Sequence, residues 1–255
     1  MYILMIKKNV DIILPVYNSK KYILNTINSI IKQSYKSWNL IIIDDFSNDG
    51  TYEILKDFKK KHSNNNKIFL YQTIKNKGQA FARNLGLKIT KSTFVAFIDS
   101  DDIWEKDKLK YQIKFMLSNE YNFTYTDYKT VKNYKKKIIK VSNNYDYKSF
   151  VKDTSIATST MIIKKNVLNN IFFPSLRLCE DFYFKCKILK KVKAYKCPNI
   201  YSLYTIRNNS LQNNRIKALL AVWTINKNLN KMNFIDNIIS LFFISLNSFR
   251  KYGFR

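Results

Sequence analysis

The run LIIIDD at residues 40–45 decides the fold class, and FVAFIDSDD at 94–102 repeats its pattern. Each is an unbroken apolar stretch of strand length that stops abruptly in carboxylates. Such runs suit strands buried on both faces, as in a parallel sheet covered by helices. VDIILPV at 10–16 is a further largely apolar run of strand length, and Ile68 to Tyr71 reads as another strand. Helix patterns lie between them. Ile23, Ile27, Ile30 and Ile31 fall at helical spacing behind a cap at Asn18 or Ser19. Asp49-Gly50-Thr51 opens a helix carrying Ile54, Leu55 and Phe58, and Ala80 to Leu87 forms another after the Lys77-Gly78 turn. The alternation predicts an α/β fold with an open, mostly parallel sheet flanked by helices.

Ligands of such sheets bind in the crevice beyond the carboxyl ends of the strands. Asp44 and Asp45 would share that edge with Asp99, Asp101 and Asp102. The chain has 45 basic residues and only 18 acids, so five acids at one edge call for a reason. A divalent cation between carboxylates and phosphate supplies one, since magnesium-type ions take one or two carboxylates plus substrate phosphates.

The second half is less regular. Phe123 to Tyr125, Ile138 to Val141, Met161 to Ile163, Val192 to Cys197 and Ile200 to Tyr204 read as short strands, and Glu180-Asp181 opens a helix. Beyond Asn213 the pattern is helical, through Ile216, Leu219, Leu220 and Trp223, then Phe234, Ile238, Phe242 and Phe249.

At 255 residues and 46% hydrophobic, the chain can bury a real core and is not disordered. No apolar run approaches the ~20 residues of a membrane span. Met1 to Ile6 lacks a cleavage site, so no signal peptide is expected. Cys179, Cys186 and Cys197 lack CxxC spacing and His62 stands alone, which argues against a zinc site or disulfide framework and makes a reduced, cytoplasmic location the default. The net charge of +27 favours polyanionic partners, although the excess is nearly all lysine, with six arginines, and is spread along the chain.

ILPVYN at 13–18, IIIDDFSNDGT at 41–51, KGQAFARNLGL at 77–87 and FIDSDDIW at 97–104 are followed by TSTMIIKK at 158–165, CED at 179–181 and YTIRNNSL at 204–211. In this order and spacing they resemble the inverting family 2 glycosyltransferases of GT-A fold. Within that family they look most like small bacterial enzymes building surface polysaccharides of the teichuronic-acid and lipopolysaccharide types. The resemblance reaches about Leu211. It implies a GT-A-like domain over 1–211, with a nucleotide-binding half (1–105) and an acceptor-binding half (106–211), and a C-terminal amphipathic helical extension at 212–255. The implied reaction moves a hexose or N-acetylhexosamine from a nucleotide sugar, most simply a UDP-sugar, to a glycan or lipid-linked acceptor. Mn2+ or Mg2+ would assist.

By the same resemblance, Asp99-Ser100-Asp101 is the DxD motif, one carboxylate holding the ribose and the other the metal, with Asp102 able to share the metal. Asp45 is placed at the nucleotide base, flanked by Tyr17, with the backbone of Pro15 lining the pocket. Arg83 would reach the nucleotide and Arg207 the diphosphate. Asp181 is the implied base that takes the acceptor hydroxyl's proton, and a partly dry pocket would raise its pKa towards that task. Glu180 would support it, with Thr158 and Ser159 lining the acceptor pocket. Plainer readings stand beside these: acids cap helices and suit their N-termini, and Tyr17 can be an ordinary strand-end aromatic. Cys179 is read as packing, since His62 lies in the polar loop HSNNN.

Two rivals can be weighed. A sugar-nucleotide nucleotidyltransferase would want a glycine-rich phosphate loop after the first strand, and LPVYNSKKY contains no glycine. A basic nucleic-acid-binding protein would want clustered arginines, and acids at two strand ends repel phosphate, so no nucleic-acid partner is expected. Finally, Phe234 to Phe249 has a thick apolar face flanked by Lys227, Lys231, Arg250, Lys251 and Arg255. It reads either as helices packed on the domain or as a segment lying on an anionic membrane surface, which would place the enzyme peripherally on the inner face of the cytoplasmic membrane.

Overall fold

A computed structural model describes residues 9–63, 66–132, 135–205 and 215–252. The first half alternates strand and helix: β1 (Val10–Val16), α1 (Ile23–Ile31), β2 (Trp38–Asp44), α2 (Thr51–Lys61), β3 (Ile68–Gln72), α3 (Gln79–Ile89) and β4 (Phe94–Phe97). The second half contains β5 (Ile103–Trp104), α4 (Lys108–Ser118), β6 (Phe123–Lys132), β7 (Lys135–Ile139), β8 (Asn144–Tyr145), α5 (Tyr147–Phe150), β9 (Ile162–Lys164), α6 (Glu180–Leu189), β10 (Ala194–Thr205), α7 (Arg215–Asn228) and α8 (Phe234–Tyr252).

Among the described residues the strands form one sheet in the order β3-β2-β1-β4-β9-β6-β10-β5, with β7 beside β6 and β8 beside β10. β3, β2, β1 and β4 pair in parallel. β9 is inserted antiparallel to both β4 and β6, after which β6 and β10 are again parallel. The expected open, mostly parallel sheet is therefore present. Its order reverses at β1, since the chain crosses back over β1 to lay β4 on the far side, and this opens the crevice at their carboxyl ends.

β1 is buried along its whole length. Its even-numbered residues Ile12 and Leu14 face a core shared with Ile23, Ile27 and Ile30 of α1, Leu55 of α2 and Ile113 of α4. Ile13 faces the opposite core, shared with Leu87 of α3, Phe184 of α6 and Val222 of α7. Burial on both faces is why these strands read as continuous apolar runs rather than alternating ones. Asp11 is the exception inside β1. Its carboxylate accepts from Lys91 N (2.6 Å), Ser92 N (2.8 Å) and Asn39 Nδ2 (2.8 Å), which ties the α3–β4 connection to the bottom of the sheet.

Several local expectations are corrected. α1 begins at Ile23 with no side-chain cap. Of the two expected caps, Asn18 and Ser19, Ser19 turns its hydroxyl to the loop after β4, its Oγ lying 2.6 Å from Ser100 Oγ, and its N donates to Thr51 Oγ1 at 2.9 Å. Val192–Cys197 and Ile200–Tyr204 fuse into the single strand β10, because a bulge at Pro198-Asn199 (Asn199 φ 58°) absorbs the irregularity between Cys197 and Tyr201. One expected reading holds: the C-terminal helices pack on the domain, with Val222, Ile225 and Ile244 buried in the α6 core.

Candidate active site

At the switch point, β1 outlasts β4 in pairing. The β1–β4 register ends at Ile13 and Phe97, extended only by Ile98 N donating to Ile13 O at 3.1 Å. Pro15, two residues on, points its main chain to the same side, so its missing N–H falls where no ladder bond remains to be made. Tyr17 follows, half exposed at the mouth.

The loop after β4 is tightly tied. Asp102 N donates to Asp99 O at 3.0 Å, Thr26 Oγ1 to Ser100 O at 3.0 Å, and Ser159 Oγ lies 3.0 Å from Asp99 N, accepting from it. Two residues of this loop take roles other than those expected. Ser100 is buried and its hydroxyl is paired with that of Ser19. Asp102 is 1% exposed, and its carboxylate accepts from Ser159 Oγ and from Thr205 N (3.1 Å), so it braces the loop against β10 instead of facing a metal. Burial and the neighbouring Asp99 and Asp101 charges push its pKa well up. Asp101 remains half-buried beside it.

Arg83 joins the two halves of the site. It projects from α3, is 2% exposed, and donates from Nη2 to Asp99 Oδ1 at 2.7 Å and from Nη1 to Glu180 Oε1 at 2.8 Å. Burial alone would lower the guanidinium's pKa, but Asp99, Glu180 and Asp181 outweigh it and raise it. Gln79 Nε2, one turn earlier, also donates to Asp99 Oδ1 at 3.1 Å. One turn later, Gly86 lets α3 lie against β1: a Cβ there would sit 2.6 Å from Ile13 Cγ2. That close approach sets how deeply Arg83 reaches under the crevice. Sequence reading sends Arg83 to the nucleotide; in the structure both arms of its fork hold protein carboxylates.

α6 brings in the second acid pair. Its first turn carries Glu180 and Asp181, where the helix dipole favours negative charge. Asp181 Oδ2 accepts from Lys185 Nζ at 2.6 Å and from Thr158 Oγ1 at 3.1 Å. The Lys185 side chain is 3% exposed and that of Asp181 23%, so the lysine is buried beneath a carboxylate that still meets solvent. Burial would raise the Asp181 pKa, yet Lys185, then Arg83 and Thr158, overcome it and hold it at about 2. This corrects the expectation of a raised value at Asp181. Glu180 is the acid pushed up, by burial and by Asp181, against the opposing pull of Arg83. Lys185 was missed in the sequence, although its i, i+4 spacing from Asp181 on a helix is a readable signal.

The remaining expected residues are placed as follows. Asp45 is 2% exposed and its carboxylate accepts from Thr73 Oγ1 (3.0 Å), Lys77 N (3.0 Å) and Gly78 N (2.6 Å), so it organises the β3–α3 loop at the crevice rim. Asp44 likewise serves the turn, accepting from Ser47 and Gln72. Thr158 positions Asp181, and Ser159 braces Asp99 and Asp102; neither hydroxyl is directed into an open acceptor pocket. Cys179 has its thiol pushed up to about 12 by burial and the adjacent acids, which agrees with packing and not nucleophilic work. Arg207 lies outside the described residues.

Among the described residues no group of three ligating side chains surrounds a point that could hold a metal. A magnesium-type ion needs no such group, since it takes one or two carboxylates and completes its shell with phosphate oxygens and water.

Residues 11–182 match the family model described as glycosyl transferase family 2. The chain is 33% identical over 233 residues to the putative teichuronic acid biosynthesis glycosyltransferase TuaG of Bacillus subtilis, covering 90% of this chain and 91% of that protein. It is also 33% identical to the UDP-Glc:alpha-D-GlcNAc-diphosphoundecaprenol beta-1,3-glucosyltransferase WfgD of Escherichia coli, covering 93% and 91%. The fold superposes on the crystal structure of S. aureus TarS in complex with UDP-GlcNAc with a TM-score of 0.71 at 22% identity, covering 95% of this chain and 73% of that one.

Proposed function

The chain belongs to glycosyl transferase family 2, and from that membership we propose that it transfers a hexose or N-acetylhexosamine from a UDP-sugar to a lipid-linked bacterial surface glycan, with inversion at the anomeric carbon. One observation carries the reading: buried Arg83 links Asp99 at the β4 mouth to Glu180 at the α6 N-terminus, so acids 81 residues apart face one crevice. UDP as the nucleotide and an undecaprenol-diphosphate acceptor are supported by the relative WfgD, whose name specifies both.

The nucleoside diphosphate would lie over the mouths of β1 and β4, beside Tyr17, the Pro15 carbonyl and Asp99. A divalent ion held by Asp101, when bound, would neutralise charge on the departing diphosphate. Asp181 would take the acceptor hydroxyl's proton as its oxygen bonds the anomeric carbon and the carbon–diphosphate bond breaks. The electron pair leaves with the nucleoside diphosphate. Lys185 keeps Asp181 ionised and oriented for that step. A pKa of about 2 makes a weak resting base, but a diphosphate arriving near Arg83 adds negative charge and moves it upward. An α-linked donor would give a β-linked product without a covalent intermediate.

Calorimetric titration of UDP with and without Mn2+ tests this reading. Metal-dependent binding in the wild type and in Asp102→Asn, lost in Asp101→Ala, is the expected result. No binding of UDP, GDP, CDP or dTDP, alongside tight nucleic-acid binding, would overturn it.

A further inference from the structure

The α7–α8 hairpin carries apolar side chains on both sides: Val222, Ile225 and Ile244 are buried against the domain, and a second set faces outward. On α8 the residues turned towards the domain include Asn237 and Ser240, both at most 1% exposed, while Phe234, Ile235, Ile238 and Phe242 point outward with exposures of 48–69%. Beside the buried apolar residues, the inner side holds a polar network. Asn226 Nδ2 donates to Asn237 Oδ1 (3.2 Å) and to Ser240 Oγ (3.1 Å), Asn230 Nδ2 donates to Asn226 Oδ1 (3.0 Å), and Ser240 Oγ donates to Val151 O (2.6 Å). On α7, Ile216 and Leu220 are likewise exposed. A water-facing helix carries polar residues on its outer side, and contiguous exposed apolar residues on this scale mark an interaction surface.

We propose that this outward face docks on an anionic lipid bilayer. Charge selects that occupant. Residues 215–252 contain six basic residues and a single acid, Asp236, and Lys227, Lys231 and Arg250 are exposed around the apolar stripe. A second copy of the chain would set like charges against each other, whereas anionic headgroups complement them while acyl chains take the phenylalanines. Among the described residues no helix is long and apolar enough to cross a membrane, so the hairpin lies on the surface. The placement has a consequence for the site. Cys179 Sγ lies 3.8 Å from Ala218 O of α7, so the hairpin adjoins the turn carrying Glu180 and Asp181, and a lipid-carried acceptor would arrive on the side of the proposed base. In that respect the inference deepens the proposed function, but lipid binding itself is read without catalysis.

The test is flotation of the full chain with phosphatidylcholine vesicles, with or without phosphatidylglycerol, for wild type and for the double variant Ile238→Ser/Phe242→Ser. The wild type is expected to float with phosphatidylglycerol-containing vesicles, and less so in high salt. The double variant should bind at least about tenfold more weakly, each apolar side chain being worth a factor of that order, with an unchanged Tm and unchanged UDP binding. A wild type that stays unbound to both vesicle types, or a double variant that binds equally well, overturns the proposal. So does a concentration-dependent dimer in sedimentation velocity that the double variant abolishes, which would assign the face to a second copy. Lost vesicle binding with intact UDP binding rejects only the docking surface; lost UDP binding with intact flotation rejects only the transferase reading.

Discussion

Replacing Lys185 with methionine tests the electrostatics of the α6 carboxylates. The lysine side chain is 3% exposed and donates to Asp181 at 2.6 Å, and methionine fills a similar volume without the charge. Without Lys185, burial is less opposed, and the Asp181 pKa moves from about 2 to its ordinary 3.8 or beyond. At about 1.4 kcal/mol per unit, that release is worth on the order of 2 kcal/mol. The folded value lies below the unfolded one, so this stabilisation is present above about pH 4 and is lost as pH falls from there towards 2. Lys185→Met should therefore lower urea stability at pH 7 by roughly 2 kcal/mol. In the pH profile of kcat/KM, the wild type should stay level on the acid side until it unfolds. The variant should lose half its kcat/KM between about pH 4 and 5, and Lys185→Arg should restore most of the wild-type profile. An acid limb in Lys185→Met that coincides with the wild type would refute the argument that Lys185 governs the ionisation of the proposed base.

Arg83→Lys should not rescue the loss caused by Arg83→Met, because one ammonium cannot reproduce a fork that reaches both Asp99 and Glu180; chemical denaturation should show about 3–5 kcal/mol lost in Arg83→Met, as expected for orphaned buried charge. Gly86→Ala forces a methyl to 2.6 Å from Ile13 Cγ2 and should cost about 1–3 kcal/mol in thermal unfolding, with weaker UDP binding because α3 carries Arg83 outward. Lys108 is fully buried above the Trp104 ring at 4.1 Å, and burial lowers its pKa to about 7 from 10.5. The unfolded state then binds more protons between those values, so stability should rise with pH across that window, and Lys108→Met should abolish the rise in urea titrations at pH 7 and 9.

The strand runs were legible because β1, β2 and β4 are buried on both faces, so their apolar character does not depend on register. Local rules failed where side chains serve distant elements. Ser19 offers a standard cap signal but spends its hydroxyl on the β4 loop, 81 positions away. Pro198 breaks the apparent strand, yet only pairing with β6 shows that the chain resumes after a bulge. Asp102 looked equivalent to Asp101 until its neighbours in β10 enclosed it. The Asp181–Lys185 pair could have been read from helical spacing, but the direction of the pKa could not, since it depends on Arg83 and Thr158 arriving from elsewhere.

By itself, then, the sequence determined the alternating α/β order, the edge of the sheet where the acids gather, and the family, because periodicity and motif spacing are properties of the chain alone. Only the tertiary structure decided which acids share Arg83, which carboxylate is held ionised, and that α8 buries Asn237 and Ser240 while Phe234 and Phe242 stay exposed. Those outcomes depend on burial and on charges brought together across the fold, and neither exists until the sheet and its helices have packed.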